Sequence, residues 1–267
     1  MSTRGSLLSV VPVTLLMLAA ACGSAPTTPP TPIAPQQVVE PQPPLPPTPP
    51  PTLGVTKILA FGDSMTEGVD SPSLPTPTLA LTLALTPGRA QSYPFKLKAL
   101  IEARYTAQTI EVLNAGLAGR QARDDRARFT DAMSEARPDL ILLLEGANDL
   151  GAPLREGEGI NARVTEVVGA LEDLVRDAGF RSIPVMIGTL PPQRPGGPKA
   201  AGVAFLPRFN AAVIEMAGKK GAQVIDIAQL PVSMIGADGL HPSEAGYQRI
   251  AEIWLDAIKA RFEQALQ

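Results

Sequence analysis

The stretch Lys57-Ile58-Leu59-Ala60-Phe61-Gly62-Asp63-Ser64 decides how the rest of the chain is read. A short apolar run breaks at Gly62 and passes into Asp-Ser, the pattern of a buried strand that ends in a sharp turn. Runs of the same kind recur downstream at Ile110-Glu111-Val112-Leu113, Leu140-Ile141-Leu142-Leu143-Leu144, Val185-Met186-Ile187-Gly188 and Val224-Ile225-Asp226-Ile227. Amphipathic stretches lie near 92–104, 122–136, 160–178, 204–220 and 243–265. Near-continuous apolar strands separated by helices predict an α/β domain, with a five-stranded parallel sheet covered on both faces.

In sheets of this kind ligands bind beyond the carboxyl ends of the strands, where loops from several strands converge. The loops in question carry Gly62-Asp63-Ser64, Asn114-Ala115-Gly116-Leu117-Ala118-Gly119, Glu145-Gly146-Ala147-Asn148-Asp149 and, near the end of the chain, Asp238-Gly239-Leu240-His241. The reactive groups therefore fall on one rim. Ser64, at a strand end entering a helix, fits a nucleophile whose own N–H contributes to an anion site. It also fits a helix N-cap. His241 is the one histidine of the chain. With Asp238 three residues before it to orient the ring, it suits a general base for Ser64 better than a satisfied structural role. Asn148 and Gly119 are candidates to donate hydrogen bonds to an oxyanion, or else form an Asx-turn and a simple turn.

Taken together, Gly62-Asp63-Ser64, Asn114-x-Gly-x-x-Gly119, Gly146-x-Asn148-Asp149 and Asp238-x-x-His241-Pro242 resemble the four ordered blocks of the GDSL or SGNH hydrolase family. The resemblance runs from about residue 55 to the C-terminal helix. It implies a flavodoxin-like three-layer α/β/α sandwich and a serine hydrolase of carboxylic esters, with no metal and no cofactor. It also implies Ser64, Asp238 and His241 as the triad, and an oxyanion hole from the N–H of Ser64 with Gly119 and Asn148. Ala147 departs from the family, whose third block often has glycine there. The same site suits an acyltransferase or thioesterase, and a tethered acyl- or glycan-binding module is the rival from outside enzymes.

A second departure is an insertion at 70–91, where Leu79, Leu81, Leu83 and Leu85 alternate with small or polar residues. One leucine face is expected, either lining an acyl pocket or packing on the surface. The Pro- and Gly-rich loop at 191–202 lies on the same rim.

The N-terminus reads as a transport signal. Arg4 precedes an apolar segment at 7–18, and small residues at 19–21 lead to Cys22, the only cysteine. The stretch resembles a bacterial lipoprotein signal, with 1–21 removed and Cys22 lipidated. The domain would then be held at the membrane of the cell envelope. Residues 22–53 form an expected Pro-rich disordered tether, in which 26–51 carry 13 of the 29 prolines. As polyproline II such a segment spans at most ~80 Å. The expected catalytic domain is 54–267. A single cysteine excludes an intrachain disulfide. The formal net charge is −3, with 23 Lys and Arg against 26 Asp and Glu and no basic run, so a nucleic-acid partner is not expected. The expected partner is a small-molecule ester.

Overall fold

A computed structural model describes residues 50–69 and 89–264. The signal segment, Cys22, the tether up to residue 49 and most of the leucine insertion lie outside the described residues. The chain divides into two units, 1–46 and 47–267, and all described residues belong to the second.

In chain order the elements are β1 (Thr52–Leu53), β2 (Lys57–Gly62), the single turn α1 (Ser64–Glu67), α2 (Tyr93–Arg104), β3 (Glu111–Gly116), α3 (Arg126–Ala136), β4 (Leu140–Leu144) and α4 (Ala147–Gly151). They continue with α5 (Ile160–Gly179), β5 (Val185–Gly188), α6 (Leu206–Lys220), β6 (Gln223–Ile225), α7 (Glu244–Phe262) and β7 (Glu263–Gln264). The order β3-β2-β4-β5-β6 is parallel throughout. Counting only these five strands, this is the 2-1-3-4-5 order of the flavodoxin-like fold, with the topological switch point between β2 and β4. Helices α2 and α7 pack together, while α3, α5 and α6 form a second group. The expected three-layer sandwich is present.

Burial explains why the apolar runs became strands. Every residue of β4 and residues 58–61 of β2 are inaccessible to solvent, as the middle of a doubly covered sheet requires. Burying such side chains contributes roughly 1.5–3 kcal/mol each. The helices start where a cap permits: the Ser92 hydroxyl accepts from Phe95 N–H, with Pro94 in the first turn of α2, and Ser243 accepts from Gly246 N–H at α7.

Most boundaries shift by one to three residues, and three differences have a cause in the tertiary structure. The helix expected over 122–136 is a 3₁₀ turn at Ala122–Asp124 followed by α3, because the carboxylate of Asp125 is drawn to Arg120 and Arg128. The last helix ends at Phe262, and the next two residues pair antiparallel with Thr52–Leu53. Folded structure therefore begins before Gly54, and Leu53, assigned above to the tether, is buried. Glu263 secures this ribbon by accepting from Arg104 at 2.7 and 2.8 Å and from the Tyr105 hydroxyl at 2.6 Å.

At the carboxyl edge the strand ends and α1 approach closely. A Cβ on Gly116 would stand 2.0 Å from the backbone nitrogen of Glu67, and one on Gly62 2.0 Å from the carbonyl oxygen of Leu144. Only glycine lets α1 rest on the ends of β3 and β4, which places Ser64 over the switch point.

Candidate active site

The turn from β2 into α1 divides its labour between neighbours. Asp63 is the N-cap, its Oδ1 accepting from Met65 N–H at 2.9 Å. The cap role weighed for Ser64 thus falls to Asp63. The Ser64 hydroxyl lies 2.8 Å from Nε2 of His241, a residue 177 positions away in sequence, and both residues are buried.

His241 is held by its own loop. The hairpin-like return from Ile235 to Pro242 is closed by Gly236 N–H donating to the His241 carbonyl at 2.7 Å and by a bridge between its ends. At its tip, Asp238 Oδ1 accepts the N–H groups of Leu240 at 2.9 Å and His241 at 3.0 Å. Its Oδ2 lies 2.5 Å from Nδ1 of the ring. Burial disfavours the Asp238 carboxylate, but the Leu240 N–H, the His241 ring and the His241 N–H outweigh it and hold the group well below the usual carboxylate range. An ionised Asp238 fixes the tautomer with hydrogen on Nδ1, leaving Nε2 as an acceptor toward Ser64.

Gly119 has φ +80° and open space where a Cβ would stand. Among the described residues no group accepts the N–H of Gly119 or of Ser64. Asn148 does not close a local Asx-turn. Its Nδ2 donates at 2.9 Å to the carbonyl of Arg120, tying α4 to the loop after β3 and leaving the second amide hydrogen available. The structure thus gathers Ser64, Asp238 and His241 into one hydrogen-bonded chain, and joins the Gly119 and Asn148 loops beside it.

Several residues that support this arrangement carry no role in the sequence reading. Asn114 donates to the Thr66 carbonyl at 2.9 Å and accepts from Gly116 N–H at 2.8 Å, fastening α1 to the end of β3. Arg128 lies 4.0 Å over the Phe61 ring and donates to the carbonyls of Gly62 at 3.0 Å and Ala115 at 2.6 Å, gripping β2 and β3 where they end. Arg163 is buried and donates to the carbonyls of Asp149, Ala152 and Pro153, closing the C-terminal end of α4, the helix on which Asn148 stands. Asn114 and Asp149 stood in recognised blocks, but nothing local signalled Arg128 or Arg163.

Beneath the turn is a buried acidic group. Burial pushes Asp63 up to about 7 and Asp149 up to about 6. Burial, reinforced by Asp125 and Asp63, keeps Glu145 well above the ordinary glutamate range. Neither oxygen of Glu145 finds a donor among the described residues. The physical resolution is a protonated Glu145 donating to Asp125, which stays ionised between Arg120 and Arg128. Among the described residues no cluster of His, Cys, Asp and Glu is arranged to hold a metal ion.

Residues 60–249 match the model of the GDSL-like Lipase/Acylhydrolase family. Among solved structures, the chain is similar to an acetylxylan esterase from Geobacillus stearothermophilus, at 21% identity and TM-score 0.60, covering 76% of this chain and 94% of that one. It is also similar to a lipase/acylhydrolase from Enterococcus faecalis, at 22% identity and TM-score 0.60, covering 79% and 100%. A third is a putative lipolytic protein of the G-D-S-L family from Desulfitobacterium hafniense, at 20% identity and TM-score 0.56, covering 75% and 98%. At these identities the three likenesses concern the fold. No curated protein matches the chain.

Proposed function

The chain belongs to the GDSL-like lipase/acylhydrolase family and is a carboxylic ester hydrolase, and we propose that it acts through an acyl-enzyme on Ser64, with His241 as general base and Asp238 as its orienting partner. The observation that carries the reading is the unbroken chain from Ser64 Oγ through the His241 ring to Asp238, with spacings of 2.8 and 2.5 Å.

Nε2 of His241 takes the hydroxyl proton as Oγ attacks the ester carbonyl carbon. The carbonyl oxygen becomes an oxyanion, received by the N–H groups of Ser64 and Gly119 and by the second amide hydrogen of Asn148. As the tetrahedral intermediate collapses, the C–O bond to the alcohol breaks and His241 returns its proton to that oxygen. The acyl group stays on Ser64. Water then attacks the acyl carbon while His241 takes its proton, and collapse releases the carboxylic acid and restores the Ser64 hydroxyl. The ionised Asp238 stabilises the imidazolium at each transfer.

Two acyl classes follow as trial substrates: acetylated sugar, by similarity to the acetylxylan esterase, and aliphatic ester, by the alternating leucines in the sequence of the insertion. Ser64→Ala and His241→Ala are expected to lose several orders of magnitude in kcat/KM on p-nitrophenyl esters of graded chain length and on an acetylated xylooligosaccharide. Near-full turnover by both variants would refute the triad. Transfer to an acceptor other than water uses the same residues, and product analysis with an added alcohol separates transfer from hydrolysis.

For the N-terminal region the proposal rests on sequence alone: export, cleavage before Cys22 and lipidation of its thiol, so that the domain is held at the envelope membrane on a Pro-rich tether. Labelled palmitate incorporated by the native chain and absent from Cys22→Ser is the expected result. Equal labelling of the two would contradict it.

A further inference from the structure

The loop between β5 and α6 does more than border the rim. It lies as a strap against the turn carrying Asp238 and His241. Arg194 N–H donates to the Gly239 carbonyl at 2.8 Å and Lys199 N–H to the Asp238 carbonyl at 2.9 Å. The Arg194 guanidinium bonds the Ile235 carbonyl. Contact between the two backbones is tight enough that a Cβ on Gly197 would stand 2.5 Å from the Cα of Gly239. Fixed in this way, the strap sets the Lys199 ammonium 3.2 Å from Asp238 Oδ2, the same oxygen that meets His241 Nδ1 at 2.5 Å. The Asp238 side chain is 13% exposed and that of Lys199 51%.

We infer that Lys199 is a positioning residue of this site, a cation paired with the orienting carboxylate that lets His241 act as a base at lower pH than the Asp238–His241 pair alone would. The inference rests on the triad reading proposed above. Its physics is a competition for one oxygen. An ammonium on that oxygen disfavours a second positive charge at the same oxygen, so it raises the energy of the imidazolium and leaves the neutral ring untouched. Among the described residues, the charged and titratable groups near the pair come from three elements. The strap contributes Lys199 and Arg194, the latter engaged with the Ile235 carbonyl. The α1 turn contributes the Ser64 hydroxyl, with Asp63 turned inward to cap Met65, and at the start of α7 Glu244 pairs with Lys96 at 3.6 Å.

The test is the pH profile of kcat/KM for the full chain, whose acid limb reports the base in the free enzyme. Lys199→Gln should move the midpoint of that limb up by about half to one pH unit, whatever the height of the plateau, given a partly solvated charge two contacts from the ring. Lys199→Arg should restore the wild-type midpoint. Roughly 1 M NaCl should move the wild-type limb the same way and leave that of Lys199→Gln nearly unmoved, because only the former has the exposed cation to screen. An unmoved midpoint in Lys199→Gln overturns the inference, as does an equal loss of activity at every pH, which would mark the strap as a structural support only. A Ser64→Ala control that keeps full activity would overturn the triad reading and this inference with it. A Ser64→Ala control without activity, beside an unmoved Lys199→Gln limb, overturns the inference alone.

Discussion

Asp63→Asn should flatten the pH dependence of stability on the neutral side. The wild-type carboxyl is inaccessible to solvent at the start of α1, where its Oδ1 accepts the Met65 N–H at 2.9 Å and its Oδ2 has no hydrogen-bond partner among the described residues. Burial is the main cause that pushes it up to about 7 from an ordinary 3.8; Asp149 adds to the shift, while the N–H groups of Met65 and Ala147 and the charge of Arg128 oppose it. Because the folded value lies above the unfolded one, the folded state binds more protons in between. The stability this contributes is complete below about pH 4 and is lost as pH rises through about 7. Integrated from about pH 5 to about pH 8, the loss is about 3 kcal/mol. Asparagine keeps an oxygen for the Met65 N–H and cannot ionise. Any packing penalty of its amide is independent of pH, so the slope is the quantity to read. Asp149, pushed up to about 6, acts in the same direction and leaves a smaller residual slope in the variant. Urea unfolding of the full chain and of Asp63→Asn across that range measures the difference directly. Parallel stability curves for the two proteins would refute the assignment of a buried, protonated Asp63.

Three further outcomes follow from contacts around the site. Asn148→Ala should lower kcat by roughly 10²–10³ with little change in KM, the signature of a donor used in the transition state; a comparable rise in KM instead would assign Asn148 to substrate binding. Gly116→Ala drives a methyl group into the Glu67 backbone, and circular dichroism should find it unfolded or far less stable, whereas a native-like melt would contradict the close approach of α1. Arg163→Met leaves Glu158 with Arg155 as its guanidinium partner and takes the Arg163 donors from the carbonyls that end α4, and should lower the thermal midpoint by several degrees and reduce activity, with Arg163→Lys recovering only part because an ammonium cannot span the same acceptors.

Much of the fold was legible because strands buried on both faces need unbroken apolar runs. Leu140–Leu144 met that condition, and its predicted boundaries are those observed. The boundaries that shifted were set by partners distant in sequence. The helix expected at 122 breaks at Asp125 because Arg120 and Arg128 need its carboxylate. The Thr52–Leu53 ribbon exists only because Glu263–Gln264 comes to lie beside it, and neither segment has a strand pattern of its own. Within the site, residue types and order pointed to Ser64, Asp238, His241, Gly119 and Asn148. The supports were hidden, since Arg128 and Arg163 read as ordinary helical cations until their guanidinium groups are seen on backbone carbonyls.

From the sequence alone came the doubly covered sheet, the four ordered blocks on one rim and a lone histidine with a carboxylate three residues before it. Those are properties of local pattern and residue type, which a chain carries before it folds. Tertiary structure decided that Asp63 and not Ser64 caps α1, that Ser64 and His241 meet at 2.8 Å across 177 residues, and that Asp238 is ionised while Glu145 is not. The reason is that hydrogen-bond partners and the free energy of a buried charge depend on what surrounds a group in space, and those surroundings are assembled from every part of the chain.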